Sequence, residues 1–139
     1  MISGISEMPI TDESYPFSSA ERYCHLSAKG YVEREYRVDG TANVYRTADE
    51  DGGVEVMTAD APYSNRIVVR APKDPAQASG NVVVEIINPT SFMEIERMWI
   101  LGYGEFVRSG DIYVGITSKP NTIAKLKEFN PDRYAFMSW

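Results

Sequence analysis

A polar tetrapeptide, Asn88-Pro89-Thr90-Ser91, ends the most apolar run of the sequence. The run before it, NVVVEII, has three consecutive valines and two isoleucines, and it lacks the alternation of a strand with one wet face. A strand that is apolar on both faces is typical of a parallel sheet covered by helices. Because open α/β sheets bind ligands beyond the carboxyl ends of their strands, the tetrapeptide lies where binding residues are expected.

Side chains that could act as nucleophiles are present, but a base beside them is not evident. His25 is the only histidine and Cys24 the only cysteine, so we expect neither an intramolecular disulfide nor a metal site, and no cofactor. Serine reacts only with an adjacent base and an oxyanion site. We therefore interpret His25 as a surface or packing residue. Capping or turn roles are expected for Ser91, Ser109, Ser118 and Ser138.

Two carboxylates lie close to the apolar run. Glu85 is inside it, and Asp111 precedes the next apolar run, DIYVGITSKP. A charge in a buried strand is costly unless it is hydrogen-bonded, so we interpret Glu85 as a structural carboxylate. Acid and base chemistry by Glu85 and Asp111 is the alternative. Trp99 and Tyr113 are interpreted as core residues, with a place in a substrate pocket as the alternative.

The elements around the tetrapeptide are predicted to be strand, helix and strand. From Phe92 to Phe106 large apolar side chains recur at spacings of three and four, which predicts an amphipathic helix of about 17 residues. Thr90 or Ser91 would cap it and Gly110 would end it. Two strands joined in this way form a right-handed parallel crossover, and their carboxyl ends meet at one edge of the sheet. NTIAKLKEF predicts a further short helix.

The residues before this unit are predicted to form an arm and antiparallel strands. Residues 1–30 lack a sustained period, and we interpret them as an N-terminal arm with a short helix around Ser18 to His25. YVEREYRV and TANVYR alternate on either side of Asp39-Gly40, which predicts a hairpin with its turn at that dipeptide. VEVMTA and NRIVVRAP predict two further strands.

The composition restricts the class of protein. The chain has 139 residues, of which 43% are hydrophobic, enough for the core of one domain. Its net charge of -6 argues against nucleic acid, whose affinity depends on Lys and Arg. No stretch approaches the ~20 apolar residues of a membrane span, and no signal-peptide pattern is visible. We therefore expect a cytoplasmic protein that binds neither nucleic acid nor membrane.

The apolar surface is larger than the predicted elements can cover. Tyr134, Phe136, Met137 and Trp139 fall in the last six residues, and both apolar strands require cover on two faces. Burying one such side chain is worth about 1.5–3 kcal/mol, against a typical domain stability of about 5–15 kcal/mol. We expect the folding unit to be larger than this chain.

Three long segments carry a family resemblance: GYVEREYRVDGTANVYR, PYSNRIVVRAPKDPAQASGNVVVEIINPTSF and GYGEFVRSGDIYVGITSKPNTIAKLKEFNPDRYAFMSW. In their order and spacing they resemble the N-terminal third of the bacterial α/β-hydrolase-domain proteins, an esterase-like family. The resemblance implies an α/β fold with an antiparallel edge hairpin, followed by parallel strands with a crossover helix. Residues 31–139 would then be the N-terminal part of one α/β-hydrolase domain, which is incomplete in this chain.

The resemblance also implies where a site would lie. Such hydrolases carry their nucleophile on a Gly-x-Ser-x-Gly elbow after the next strand, followed by an acid and a histidine, and these residues contain no such elbow. One oxyanion-hole amide comes from the loop that corresponds here to residues 88–91. Pro89 has no N–H, so Thr90 or Ser91 would donate, with Asn88 and Pro89 beside the substrate. A simple helix cap is the alternative.

Three functions follow from these observations. We expect the N-terminal part of a serine esterase that acts on a small carboxylic ester, is inactive alone and is completed by the C-terminal remainder of its domain. The first alternative is a non-catalytic α/β module that dimerises with a second copy, or binds a partner, through an exposed apolar sheet edge. The second is an enzyme that uses the carboxylates of Glu85 and Asp111.

Overall fold

The fold is a mixed five-stranded sheet with helices, seen in a computed structural model that describes residues 1–15, 24–90 and 93–138. The strands are β1 (Ile2–Met8), β2 (Tyr31–Thr47), β3 (Val54–Pro72), β4 (Val82–Ile86) and β5 (Ile112–Ile116). The α-helices are α1 (Arg97–Ser109), α2 (Pro120–Phe129) and α3 (Pro131–Tyr134), and Ser27–Lys29 and Pro75–Gln77 form 3-10 turns. The strand order is β1-β2-β3-β5-β4, and β4 and β5 pair in parallel whereas the other pairs are antiparallel.

The predicted strand, helix and strand crossover is confirmed, because α1 connects the parallel strands β4 and β5. The helix ends as expected at Gly110, whose φ of 79° is the left-handed conformation that favours glycine. Its start was predicted too early. It begins at Arg97, because the preceding residues form a loop closed by a bridge between Asn88 and Ile95.

The turn predicted at Asp39-Gly40 is wrong. β2 continues through this dipeptide, the chain turns instead at residues 48–53, and the two strands predicted after it are one strand, β3. Packing explains the glycine. A β-carbon at residue 40 would lie 2.5 Å from the Met1 carbonyl oxygen and 2.7 Å from the hydroxyl oxygen of Tyr63. The glycine therefore allows the Met1 backbone and the Tyr63 side chain to approach β2 closely. From the sequence alone, a glycine with this role looks the same as a glycine in a turn.

A strand near the N-terminus was not expected from the sequence. β1 pairs antiparallel with residues 35–40 of β2 at the edge of the sheet. Most of its side chains are exposed, so it has no buried face to produce an apolar period. Most of the helix predicted around Ser18 to His25 lies outside the described residues.

The two faces of β3, β5 and β4 carry different residues, because cross-strand partners share a face and neighbours along a strand alternate. We call the face on which α1 packs the helix face and the opposite one the open face. The helix face carries Arg66, Val68, Arg70, Val83, Glu85, Tyr113 and Gly115. Where these three strands pair with one another, the open face carries β-branched aliphatic residues: Ile67, Val69, Val82, Val84, Ile86, Ile112, Val114 and Ile116.

β4 lies at the margin of the described sheet, so the prediction that it is buried on both faces is wrong. Glu85, on the helix face, is only 6% exposed, whereas Val82, Val84 and Ile86 are 55%, 58% and 71% exposed. Neither buried hydrophobic cluster of the described residues includes an open-face residue. The strand has the composition of a covered strand, but the helices of this chain pack on its other side.

Two hydrophobic clusters support the helices. The first packs Trp99 of α1 on Tyr113 of β5. The second joins α2 to the segment around α3, where Tyr134 and Met137 are buried. These two residues were expected to lack cover, and that expectation is wrong because α2 packs on them; Trp139 lies outside the described residues. None of the helices described here has the length and apolar character of a membrane span.

Candidate functional site

The polar tetrapeptide opens the β4–α1 loop, residues 87–96, at the carboxyl end of β4. The two arms of this loop are joined by a pair of backbone hydrogen bonds. The amide of Asn88 donates to the Ile95 carbonyl at 3.2 Å, and the Ile95 amide donates to the Asn88 carbonyl at 2.9 Å. The loop is therefore closed at its base, directly after the end of β4.

The segment after β5 holds the loop on both sides of Asn88. The hydroxyl of Ser118 donates to the Ile87 carbonyl at 2.9 Å, and the side-chain amide of Asn121 donates to the Pro89 carbonyl at 3.4 Å. Ser118 is thus used in structure, in keeping with its interpretation as a turn residue. The two carbonyl groups that flank Asn88 are fixed by the neighbouring strand end.

Glu94 anchors the returning arm of the loop to the centre of the sheet. Its carboxylate accepts from Nη1 of Arg66 at 2.6 Å and from the hydroxyl of Thr117 at the end of β5. Arg66 also donates to Glu35 on β2, and its side chain is completely buried. Burial lowers the pKa of this guanidinium, but the charges of Glu94 and Glu35 outweigh burial and raise its pKa above the ordinary value.

Glu96 forms a second anchor of the same kind. It accepts from Nη2 of Arg70 at 2.9 Å, and Arg70 also donates to Glu33 on β2 at 2.7 Å. The guanidinium of Arg70 lies 4.5 Å from the ring centroid of Trp99, a cation–π contact with α1. Each arginine on the helix face of β3 therefore takes one carboxylate from β2 and one from the loop.

These anchors were missed in the sequence, although two spacings point to them. Arg66 and Arg70 are four residues apart in a strand and so share a face with Val68, which is buried. Glu94 and Glu96 are separated by one residue at the end of the loop, with the same period of two. Buried charges require partners of opposite charge. Two arginines on one face of a strand and two carboxylates with the same spacing of alternate residues therefore indicate that each arginine is buried with one carboxylate.

The prediction that Glu85 is hydrogen-bonded within the fold is confirmed. It accepts from the amides of Met98 and Trp99 at 3.1 and 3.4 Å, and from the hydroxyl of Tyr113 at 2.6 Å. The capping residue of α1, Glu96, makes no side-chain cap, so Glu85 supplies the acceptor and negative charge that a helix start favours. Burial, the charge of Glu96 and the bond to Glu85 raise the pKa of Tyr113.

Asp111 lies at the other end of the parallel strands. Its Oδ1 accepts from the hydroxyl of Ser79 at 2.6 Å and from the side-chain amide of Asn81 at 3.1 Å. Glu85 is paired with Gly115, four residues beyond Asp111, a separation of ~13 Å at ~3.3 Å per strand residue. The two carboxylates therefore do not form the pair that acid and base chemistry would need.

The structure describes one of the two predicted oxyanion donors. Thr90 is exposed, and both its amide, at 2.9 Å, and its hydroxyl donate to Oδ1 of Asn88. Ser91 lies outside the described residues. Ser109 donates to Glu105 on α1, which is a structural contact. The chain thus brings Asn88, Pro89 and Thr90 together at the carboxyl end of β4.

A cavity of about 690 Å³ lies elsewhere, where the β2–β3 ribbon extends beyond the other strands. Its walls are mainly apolar, and its lining residues are Ala42, Asn43, Val44, Ala61, Pro62, Tyr63, Asn65 and Ser138. The β4–α1 loop contributes nothing to it.

The parallel crossover, the strand order and the helices that pack on the sheet define an α/β fold. The family model for the alpha/beta hydrolase domain matches residues 6–139. The chain therefore belongs to the alpha/beta hydrolase domain family, as its resemblance to that family implied, and the fold predicted from it is confirmed. No curated protein and no solved structure matches the chain.

Proposed function

We propose that this chain is the N-terminal part of an α/β-hydrolase-type serine hydrolase that acts on carboxylic esters. The β4–α1 loop supplies the oxyanion hole, and the nucleophile, acid and base come from the C-terminal remainder of the domain. The observation that carries the proposal is the edge of β4 directly beside this loop, which no strand of the described residues covers and which is called the free edge. No membrane or nucleic acid is involved, and the protein acts in the cytoplasm.

The free edge of β4 offers a template for one more strand. Asn81 accepts from Ile112, and Ile87 donates to Ile116, so the odd-numbered residues of β4 bond to β5. In a parallel ladder the intervening residues then direct their amides and carbonyls the other way, which leaves Val82, Val84 and Ile86 free to pair. A parallel strand added there would end beside the β4–α1 loop.

The right-handedness of crossovers also predicts that the helix preceding an added strand would cover the open face. The step from β4 to β5 places α1 on the helix face. A connection from β5 back past β4 runs in the opposite direction along the sheet, so a right-handed crossover places its helix on the opposite face. One strand and one helix would thus occupy both the free edge and the open face. A second copy pairing only through β4 would leave the open face bare.

Ester hydrolysis by the complete protein tests the proposal. The complete protein is this chain joined to, or coexpressed with, the polypeptide encoded downstream that carries a Gly-x-Ser-x-Gly elbow. We expect hydrolysis of a p-nitrophenyl ester by the complete protein, none above background by the chain alone, and loss of turnover when the elbow serine is changed to alanine. Absence of such an elbow downstream, or an inactive complete protein, would overturn it.

A matched pair of valines tests whether the edge of β4 is where completion occurs. Val84→Lys places a charge at the free edge, where it should not unfold the chain because the side chain is 58% exposed. Val44→Lys makes the same change on the β2–β3 ribbon, where the side chain is 40% exposed. We expect the Val84 variant to lose ester hydrolysis in the complete protein and the Val44 variant to retain it.

The second candidate function is a non-catalytic module that binds a partner through the same edge. It is favoured by the aliphatic side chains exposed on β4, since exposed apolar edge strands pair readily with other chains. Light scattering distinguishes the two. A stable homodimer, in a protein whose coding sequence is not followed by a serine elbow, supports the module and contradicts the hydrolase.

A further inference from the structure

The orientation of the Asn88 side-chain amide is fixed by its neighbour. A backbone N–H can only donate, so the atom that faces the Thr90 amide at 2.9 Å must be the carbonyl oxygen of Asn88. The Thr90 hydroxyl donates to the same oxygen. The NH₂ group of Asn88 is therefore directed away from Thr90.

The remaining polar groups of Asn88 are also accounted for. Its amide and carbonyl pair with Ile95, and Ser118 and Asn121 hold the carbonyl groups on either side of it. Within the parts of the chain that the structure describes, no acceptor lies within hydrogen-bonding distance of Nδ2. The side chain is half-buried. A rigidly held double donor thus stands at the carboxyl end of β4.

We propose that Nδ2 of Asn88 is a catalytic oxyanion donor of this hydrolase, and that Thr90 positions it. The inference rests on the proposed function and replaces the Thr90 amide as the donor, since that amide is already engaged. Side-chain amides serve this purpose when they are held in place before the charge develops, because no reorganisation is then needed.

The step that uses this donor is the formation of the tetrahedral intermediate. The serine oxygen of the complete protein bonds to the ester carbon, its proton passes to the histidine, and the π electron pair of the carbonyl moves onto its oxygen. Nδ2 donates to that oxygen. When the carbonyl re-forms, the bond from carbon to the alkoxy oxygen breaks, and the histidine gives its proton to that oxygen, which leaves as the alcohol.

Two substitutions at Asn88 separate a catalytic donor from a structural acceptor. Asn88→Asp keeps an oxygen that accepts from both Thr90 groups but replaces the donor with a negative charge, and Asn88→Ala removes both roles. Loss of one oxyanion donor lowers kcat by about 100- to 1,000-fold. We expect both variants of the complete protein to show this loss on a p-nitrophenyl ester with KM little changed, the Asp variant at least as strongly.

Asn81→Ala provides the matched control. Asn81 stands immediately before β4, at the amino end of the strand, and its side-chain amide donates to Asp111, far from the loop. We expect kcat of this variant to stay close to that of the unchanged protein. If Asn88→Asp retains full kcat while Asn88→Ala loses it, Asn88 is only a structural acceptor and the inference is overturned. An unchanged complete protein without ester hydrolysis overturns the proposed function itself, and the inference with it.

Discussion

The two faces of the sheet reverse the usual distribution of charged and apolar side chains. On the helix face Arg66 and Arg70 are fully buried, whereas on the open face Val84 and Ile86 are more than half exposed. Every buried charge costs free energy unless it is paired, and both arginines are paired with carboxylates on two sides. The helix face is a completed interior, and the open face has the composition of an interior without its cover.

This difference teaches that burial in the chain follows connectivity rather than hydrophobicity alone. The helix face is covered because α1 must cross from β4 to β5, and a right-handed crossover selects one side of the sheet. No crossover within the described residues leads to the other side. Val82, Val84 and Ile86 are exposed there, although full burial of a large aliphatic side chain is worth about 1.5–3 kcal/mol.

The largest effect is expected from breaking the helix face. Arg66→Met leaves the carboxylates of Glu35 and Glu94 buried without their shared partner, and loss of one member of a buried ion pair costs about 3–5 kcal/mol. Urea denaturation measures the loss. Arg46→Met, which breaks an exposed pair with Glu55 on the ribbon, is the control and should lower the midpoint far less. Equal losses of unfolding free energy in the two variants would show that the buried and the exposed ion pairs contribute equally to stability, contrary to this prediction.

A pair of valines compares the two faces directly. Val68→Ala removes buried methyl groups on the helix face and should cost about 1.5–2.5 kcal/mol, whereas Val84→Ala on the open face should change the free energy of unfolding by less than about 0.5 kcal/mol. Chemical denaturation of the chain measures both. In the complete protein the cost at Val84 should rise toward that at Val68. An equal cost in the chain alone would show that the open face is already covered.

The smallest effect is expected from pH. Burial by itself raises the pKa of Glu35, but the charge of Arg66 and hydrogen bonds from Arg133, Arg66 and Tyr134 outweigh burial, so the pKa lies below its ordinary value of 4.5. A carboxylate with a lowered pKa stabilises the fold at pH values above 4.5, and this stabilisation is lost as pH falls below 4.5 and through the lowered pKa of Glu35. Unfolding curves from pH 7 to pH 3 should show this loss. Glu35→Gln should flatten it, and Glu50→Gln on the exposed turn should not.

Much of the fold follows from the sequence, and the failures have physical causes. The period near 3.6 and Gly110 identify α1, and short apolar runs identify β4 and β5, because these signals are local. Gly40 was mistaken for a turn because its requirement is a contact with Met1, distant in sequence. The exposure of β4 was missed because amino-acid composition indicates the environment that suits a strand, and it does not show whether the described elements supply that environment.

The position of the loop was predicted from the sequence, but its contacts were not. The apolar run and its polar end locate the loop at residues 88–91, and crossover geometry places it at the sheet edge. The hydrogen bond from Thr90 to Asn88 depends on side-chain rotamers, which no spacing reveals. The anchoring of the loop by Glu94 and Glu96 depends on strands that lie more than twenty residues away, so only the pattern of paired charges could have suggested it.

Glu85 has one further consequence. It belongs to β4, the strand with the free edge, yet its oxygens bind the amides of Met98 and Trp99 in the first turn of α1. Glu85 therefore links β4 directly to the first turn of α1. The β4–α1 loop connects the same two elements along the chain. A strand that pairs with β4 would therefore be coupled to the start of α1 through the carboxylate of Glu85.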